Sequence, residues 1–254
     1  PLYGIAVASK HSFGESMQAA AETRLKLDDR PRILAVAAGS PAEKAGLLPG
    51  DEILRVGAVA VEPGEEAHRA VVERLREGGM GRTRLELGGK HPRTVTMRPV
   101  PACDYRVALL PRGNVNAYTN GRTITVTKGM MWFARDDGDL ALVLSHEVAH
   151  NILGHTNPLA VAFVEKKRRE ADADYLGLYI MARAGYRIDQ APAFWRRVAA
   201  AFPQLIDESD SHPVMPYRFV ALRKAGDEIR RRRAAGLPLD PERIESLGIS
   251  HAVE

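Results

Sequence analysis

His146 and His150 stand four residues apart, so a single turn of helix stacks both imidazoles on one face. Glu147 follows the first of them and lies beside the pair. Two imidazoles suit a borderline metal such as zinc, and an adjoining carboxylate can act as general base on a water at that metal. With 8 His and 18 Glu in 254 residues, composition alone gives roughly 0.02 chance occurrences of this spacing. Its surroundings are apolar, with Leu142, Val143, Val148 and Ile152 close in sequence. Burying two histidines and a glutamate there is costly unless a metal or hydrogen-bond partners answer them. A satisfied polar cluster without metal is the alternative.

A catalytic zinc takes three protein ligands and keeps one position open. Glu170 and Asp174, again four apart, open a second helical pattern that continues through Leu176, Leu178, Tyr179 and Met181. Glu170 can complete a two-histidine, one-carboxylate set for one zinc ion per chain. Asp174 can then hold the distal nitrogen of His146. Asp172 points elsewhere and reads as solvated, as does the Lys166-Lys167-Arg168-Arg169 run.

The elements that must position these groups follow from periodicity. Asp139 reads as the N-cap of a helix that Gly154 ends at its far side. His155, five residues beyond His150, is expected to turn away from the metal face and serve a structural role. Strands are expected over 105–110 and 123–127, and Trp132, Phe133, Phe194, Trp195 and Phe202 as packing residues. Earlier in the chain, strands are expected over 33–37, 52–56, 83–87 and 94–98, with a helix over 65–77 built on Ala67, Ala70, Val71 and Leu75. Pro99 and Pro101 interrupt strand pairing and mark a linker over 99–104. The fold class is therefore α+β, with a small β-rich domain over 20–98 followed by a mainly helical domain over 105–254 that contains a short sheet. Residues 1–19 hold a strand, Leu2–Ala8, that suits either domain.

Composition narrows the rest. The chain has 36 Lys+Arg against 32 Asp+Glu, a net charge of +4. The basic residues are not interleaved with aromatics, so nucleic acid is not an expected partner. No apolar run reaches the roughly 18 residues of a membrane-spanning helix. The one cysteine, Cys103, excludes an internal disulfide framework. The chain opens on Pro1, which reads as a mature or excised segment, and Cys103 is expected to pair with a segment outside it.

Ser40-Pro41-Ala42-Glu43-Lys44-Ala45-Gly46-Leu47, then Gly50-Asp51-Glu52-Ile53-Leu54, resembles a PDZ domain of the bacterial protease-associated kind. The resemblance implies a groove between one strand and the 65–77 helix, where an extended peptide adds a strand. It places the carboxylate-binding loop at Leu25-Lys26-Leu27, which lacks the family's usual glycine. His68 would reach a ligand hydroxyl or stay solvated.

His146-Glu147-x-x-His150, Glu170-x-x-Ala173-Asp174 and Ser211-His212-Pro213 with Arg218 occur in that order. Upstream lie Asn116-Ala117-Tyr118 and the strand from Thr123. Together they resemble the zinc metallopeptidase family of HtpX and the CAAX prenyl proteases, family M forty-eight. The resemblance implies a gluzincin endopeptidase in which Asn116, Ala117 and Tyr118 align the substrate. His212 would assist the developing oxyanion, and Arg218 would anchor the His212 loop or join the oxyanion site. The expected function is hydrolysis of peptide bonds in unfolded or envelope proteins, in bacterial periplasmic quality control, with the PDZ-like module recognising or regulating. A peptide-binding adaptor with an occluded metal centre is the competing reading.

Overall fold

The structure, a computed structural model, describes residues 2–103, 105–161, 165–203 and 215–243. It forms two compact units, Pro1–Cys103 and Asp104–Glu254, and the chain as a whole is α+β.

In the first unit the chain runs β1 (Ile5–Ala8), α1 (Glu15–Leu25), β2 (Arg32–Val36), α2 (Pro41–Lys44), β3 (Glu52–Val56), β4 (Val59–Ala60), α3 (Ala67–Glu77), β5 (Thr83–Gly88) and β6 (Arg93–Met97). One antiparallel sheet carries the order β1-β2-β3-β5-β6, with β4 on β3. The N-terminal strand therefore belongs to this sheet, as its outermost member. Its helix α1 carries no apolar stripe that would announce it in sequence. Ser40 caps α2, its Oγ accepting from the Glu43 N–H at 3.1 Å, with Pro41 in the first turn. Asp51 accepts from the Leu48 N–H and pairs with Arg93 at 2.6 Å, tying the turn before β3 to β6. Ala67, Val71 and Leu75, each four residues on, bury one face of α3 against Ile53, Leu85 and Leu87.

The second unit runs β7 (Arg106–Leu110), β8 (Ala117–Thr119), β9 (Thr123–Thr127), α4 (Lys128–Phe133), α5 (Asp137–Ile152), α6 (Pro158–Val161), α7 (Lys166–Arg183), α8 (Ala191–Ala201) and α9 (Met215–Ala234). β9 is central, parallel to β7 and antiparallel to β8, which leaves β8 an edge strand. Helices α5 and α7 pack face to face, and α9 covers α7. Phe194, Leu178, Tyr179, Met181 and Ile229 fill the core between the helices.

Two local expectations change. Asp136, not Asp139, caps α5: it has extended backbone angles, and its Oδ1 accepts from the Asp139 N–H at 2.9 Å. Asp139 is instead buried, where it accepts from the Arg135 N–H and pairs with Arg197. Trp132 does not pack into the core. It is 75 % exposed on the outer face of α4, with the Lys128 ammonium 4.6 Å above its ring.

Candidate metal centre

Helix α5 supplies His146 and His150 from one face, and their Nε2 atoms lie 3.0 Å apart. Glu170, in the first turns of α7, brings one carboxylate oxygen to 3.3 Å from the His146 Nε2 and the other to 3.5 Å from the His150 Nε2. The two helices come this close because Gly177 faces α5. A Cβ there would stand 3.1 Å from both the N and the Cα of His146.

This triangle of donors suits a small tetrahedral ion. Ligand bonds of about 2.0–2.1 Å place tetrahedral donors about 3.3 Å from one another, the scale of the three separations found. The donor set of two imidazoles and one carboxylate is a catalytic zinc set in kind. The electrostatics agree. Burial pulls the His146 imidazolium down, yet Asp174 and Glu170 raise its pKa to about 9, so the site favours positive charge at this point. Burial likewise opposes ionisation of Glu170, and the two imidazoles overcome it, holding the carboxyl well below the usual range.

Behind the donors, each histidine has its own partner. The Nδ1 of His146 lies 2.9 Å from the Asp174 Oδ1. Asp174 in turn receives a two-point contact from Arg218 on α9, Nη2 to Oδ1 at 2.7 Å and Nε to Oδ2 at 2.6 Å. Burial pushes the Asp174 carboxyl up, but Arg218 and then His146 outweigh it and keep it ionised. The Arg218 guanidinium, 2 % exposed, stacks 3.3 Å from the centre of the Trp195 ring. Arg218 thus sits against Asp174 and Trp195, supporting the metal helix from behind. His212 lies outside the described residues.

His155 is not turned away. Its Nδ1 lies 3.0 Å from the His150 Nδ1. Extending the helical wheel to residue 155 fails because α5 stops at Ile152. Gly154, at φ +67°, lets the Gly154 N–H reach Asn151 O and the His155 N–H reach His150 O, at 3.1 and 2.9 Å. That doubly bonded glycine turn folds His155 back over the turn holding His150. Gly154 was the sequence signal for it.

Glu147 is 8 % exposed, and burial raises its pKa, which makes it a stronger base. It opens, with the donors and with 116–119, on a cleft of about 320 Å³. Asn116, Ala117 and Tyr118 lie along β8 on the wall of this cleft, and the outer edge of β8 has no strand partner among the described residues. Thr119 Oγ1 donates to Asn151 Oδ1 at 2.7 Å and ties that strand to α5. Lys166 and Arg169 line the same cleft, so part of the run read as a solvated face belongs to the site.

The groove residues expected in the first unit are not brought together. Leu25, Lys26 and Leu27 end α1 and line a cavity of about 780 Å³ with Ile33, Leu48 and His91, and no residue of α3 lines it. Both β1 and β3 pack beside α3; β1 is the one at the sheet's edge, with a turn ahead of it at Gly4, φ +80°. A glycine thus stands ahead of the edge strand beside α3, within residues 1–19. His68 does lie at this groove, at the start of α3, with its Nδ1 3.4 Å from the Ser9 Oγ that follows β1. Burial lowers its pKa.

A buried pair of helix-borne histidines facing a carboxylate, beside a buried glutamate and a strand edge unpaired among the described residues, has the groups a metallopeptidase needs. The family model for the PDZ domain matches residues 32–86, and that for Peptidase family M48 matches residues 92–164. The two matches, in that order, are those of a family M48 metallopeptidase with an N-terminal PDZ domain. The second match ends ahead of α7, so Glu170 enters the donor set on geometry alone.

Proposed function

We propose that this chain is a zinc-dependent endopeptidase with His146, His150 and Glu170 as protein ligands and Glu147 as general base. The observation that carries the reading is the convergence of those three donors beside Glu147 and the free edge of β8. A zinc ion held by these residues would supply Lewis acidity and lower the pKa of a water there to about 7. A substrate strand adds to β8, and its backbone hydrogen bonds fix the scissile carbonyl over the cleft. Glu147 accepts the proton of the attacking water and later delivers it to the leaving amine. Asp174 and His155 hold the two imidazoles in register from behind. His212 is retained as the oxyanion donor on the resemblance alone.

The PDZ domain is assigned to substrate recognition, with an extended peptide added to β1 beside α3. The pairing of such a domain with a peptidase favours protein quality control in the bacterial envelope, acting on unfolded polypeptides. No helix among the described residues is long and apolar enough to cross a membrane.

The test is Glu147→Gln with zinc content and proteolysis measured together. The variant is expected to keep one zinc per chain and lose chelator-sensitive cleavage of an unfolded protein. Undiminished cleavage sinks the mechanism. Peptide binding by a wild-type protein that never cleaves supports an adaptor instead.

A further inference from the structure

Helix α7 begins with four cations, Lys166, Lys167, Arg168 and Arg169, and its first turn contains no acid. This is the end of a helix where the dipole and free N–H groups favour negative charge. Local electrostatics therefore work against the run. Arg168 has an answer within the helix, Asp172 at 3.7 Å. Lys166 and Arg169 are three apart, on one face, and both line the cleft that holds Glu147 and the three donors.

Neither of those two cations has an acidic partner among the described residues. Arg169 is half-buried, and its Nε makes no hydrogen bond among the described residues. A guanidinium keeps its charge at any working pH, and a buried donor without an acceptor is expensive. The nearest carboxylate in sequence, Glu170, is already turned to the two imidazoles. Two cations on the wall of a cleft, with no acid among the described residues to answer them, mark a place for a ligand's negative charge.

We infer that Arg169, assisted by Lys166, selects peptides that place a carboxylate within a few residues of the scissile bond. This deepens the peptidase reading and rests on it. An arginine presents paired donors that match a carboxylate in two-point geometry, and a lysine three residues away adds charge without that geometry. The carboxylate belongs to an aspartate or glutamate side chain, or to a substrate C-terminus lying in the cleft.

The experiment uses the full zinc-loaded chain and matched peptides built around a bond it cleaves. Glu, Gln or Lys is placed at each of three positions on either side, with free and amidated C-termini. The Glu peptide is expected to exceed its Gln counterpart about tenfold in kcat/KM at one position at least, a gap that narrows as salt rises. Arg169→Gln should bring that ratio towards one, and Arg169→Glu should turn it in favour of Lys. Lys166→Gln should lower it by less. A preference that follows the free C-terminus assigns the carboxylate to the chain end, and one that persists in amidated peptides assigns it to the side chain.

Arg169→Lys guards against a variant that fails to fold, since it keeps the charge and loses the fork. It should fall between wild type and Arg169→Gln. Equal rates for Glu, Gln and Lys at every position, with free and amidated ends alike, overturn the inference and leave the peptidase reading standing. If no peptide is cleaved in a chelator-sensitive way, the peptidase reading fails, and binding by Glu147→Gln decides the rest. Tighter binding of Glu than Gln peptides, lost on adding Arg169→Gln, still supports the carboxylate site, and equal binding removes it.

Discussion

The Nδ1 atoms of His155 and His150 lie 3.0 Å apart, one imidazole backing the other. With the His150 Nε2 turned to the donor cluster, its Nδ1 carries the proton, and the His155 Nδ1 must accept it. His155 can do so only as the neutral ring protonated on Nε2. Burial and the neighbouring His150 and Arg169 push its pKa down to about 4, which keeps it neutral through the physiological range. The two ligand histidines are thus held differently. His146 leans on a carboxylate that raises its basicity, and His150 on a neutral imidazole that chiefly sets its orientation.

His155→Ala should therefore weaken metal binding about tenfold, towards the lower end of the 10–100-fold seen for outer partners of metal ligands. Competition against a chromophoric chelator measures it. His155→Gln retains an acceptor and should lose less. Equal affinity for wild type and both variants would leave His155 with no part in holding His150.

Asp174 should matter more for stability. Removing it strands a buried guanidinium that is hydrogen-bonded to that carboxylate through Nη2 and ion-paired with it through Nε. Asp174→Ala is expected to cost about 3–5 kcal/mol, the range for breaking a buried ion pair from one side. The double variant Asp174→Leu with Arg218→Met leaves no unpaired charge and should recover part of the loss. Urea midpoints for the two variants check this, and a double variant no more stable than the single one removes the charge-burial explanation.

The parts of the site legible in sequence were those fixed by spacing along one helix. His146, Glu147 and His150 needed only the helical repeat, and Glu170 with Asp174 repeated the argument on α7. The parts that escaped depend on where an element stops or on what lies across a gap. The helical wheel sent His155 outward, because nothing in the repeat reveals that Gly154 turns the chain back. Lys166 and Arg169 read as solvated because a basic run without hydrophobic periodicity carries no sign of the cleft that β8 forms opposite. In the first unit, the Ser40–Leu54 stretch identifies the module, but Leu25, Lys26 and Leu27, expected as the loop ahead of the groove, lie at the end of α1 and line a cavity that no residue of α3 lines. Strand pairing is non-local: the register of Ile5 with Val36 makes the N-terminal residues an edge of the sheet, and packing then sets them beside α3.

A separate network sets the acid response of the second unit. Glu228 on α9 accepts from the Tyr175 hydroxyl at 2.6 Å and from the Tyr179 hydroxyl, both on α7. Burial opposes its charge, but these two bonds win and hold its pKa below the usual 4.5. The unfolded chain then binds a proton more readily than the folded one, so the contribution is complete above about pH 4.5 and disappears as pH falls through the folded value. Glu228→Gln should be less stable than wild type at neutral pH, and the gap should close in acid. Thermal midpoints of both proteins from about pH 7 down to pH 3 test this, and a gap that stays constant across the range removes Glu228 from the acid response.

The last test concerns the approach of the two helices that carry the donors. A Cβ at position 177 would meet the backbone of His146 at 3.1 Å, and backbone cannot rotate aside as a long side chain can. Gly177→Ala must then move α7 away from α5 by a few tenths of an ångström. Glu170 lies on α7 about two turns before Gly177, so the shift lengthens its separation from both imidazoles. Overpacking of this kind costs roughly 1–3 kcal/mol, opposed by the gain of about 1 kcal/mol that alanine brings to a helix interior. The stability change is expected to be small for that reason, while metal affinity falls clearly, because the donor triangle and the His146–Asp174 contact behind it both span the two helices. Calorimetric zinc titration beside a denaturation curve separates the two. A variant with unchanged zinc affinity would show that the α5–α7 distance at Gly177 does not set the site.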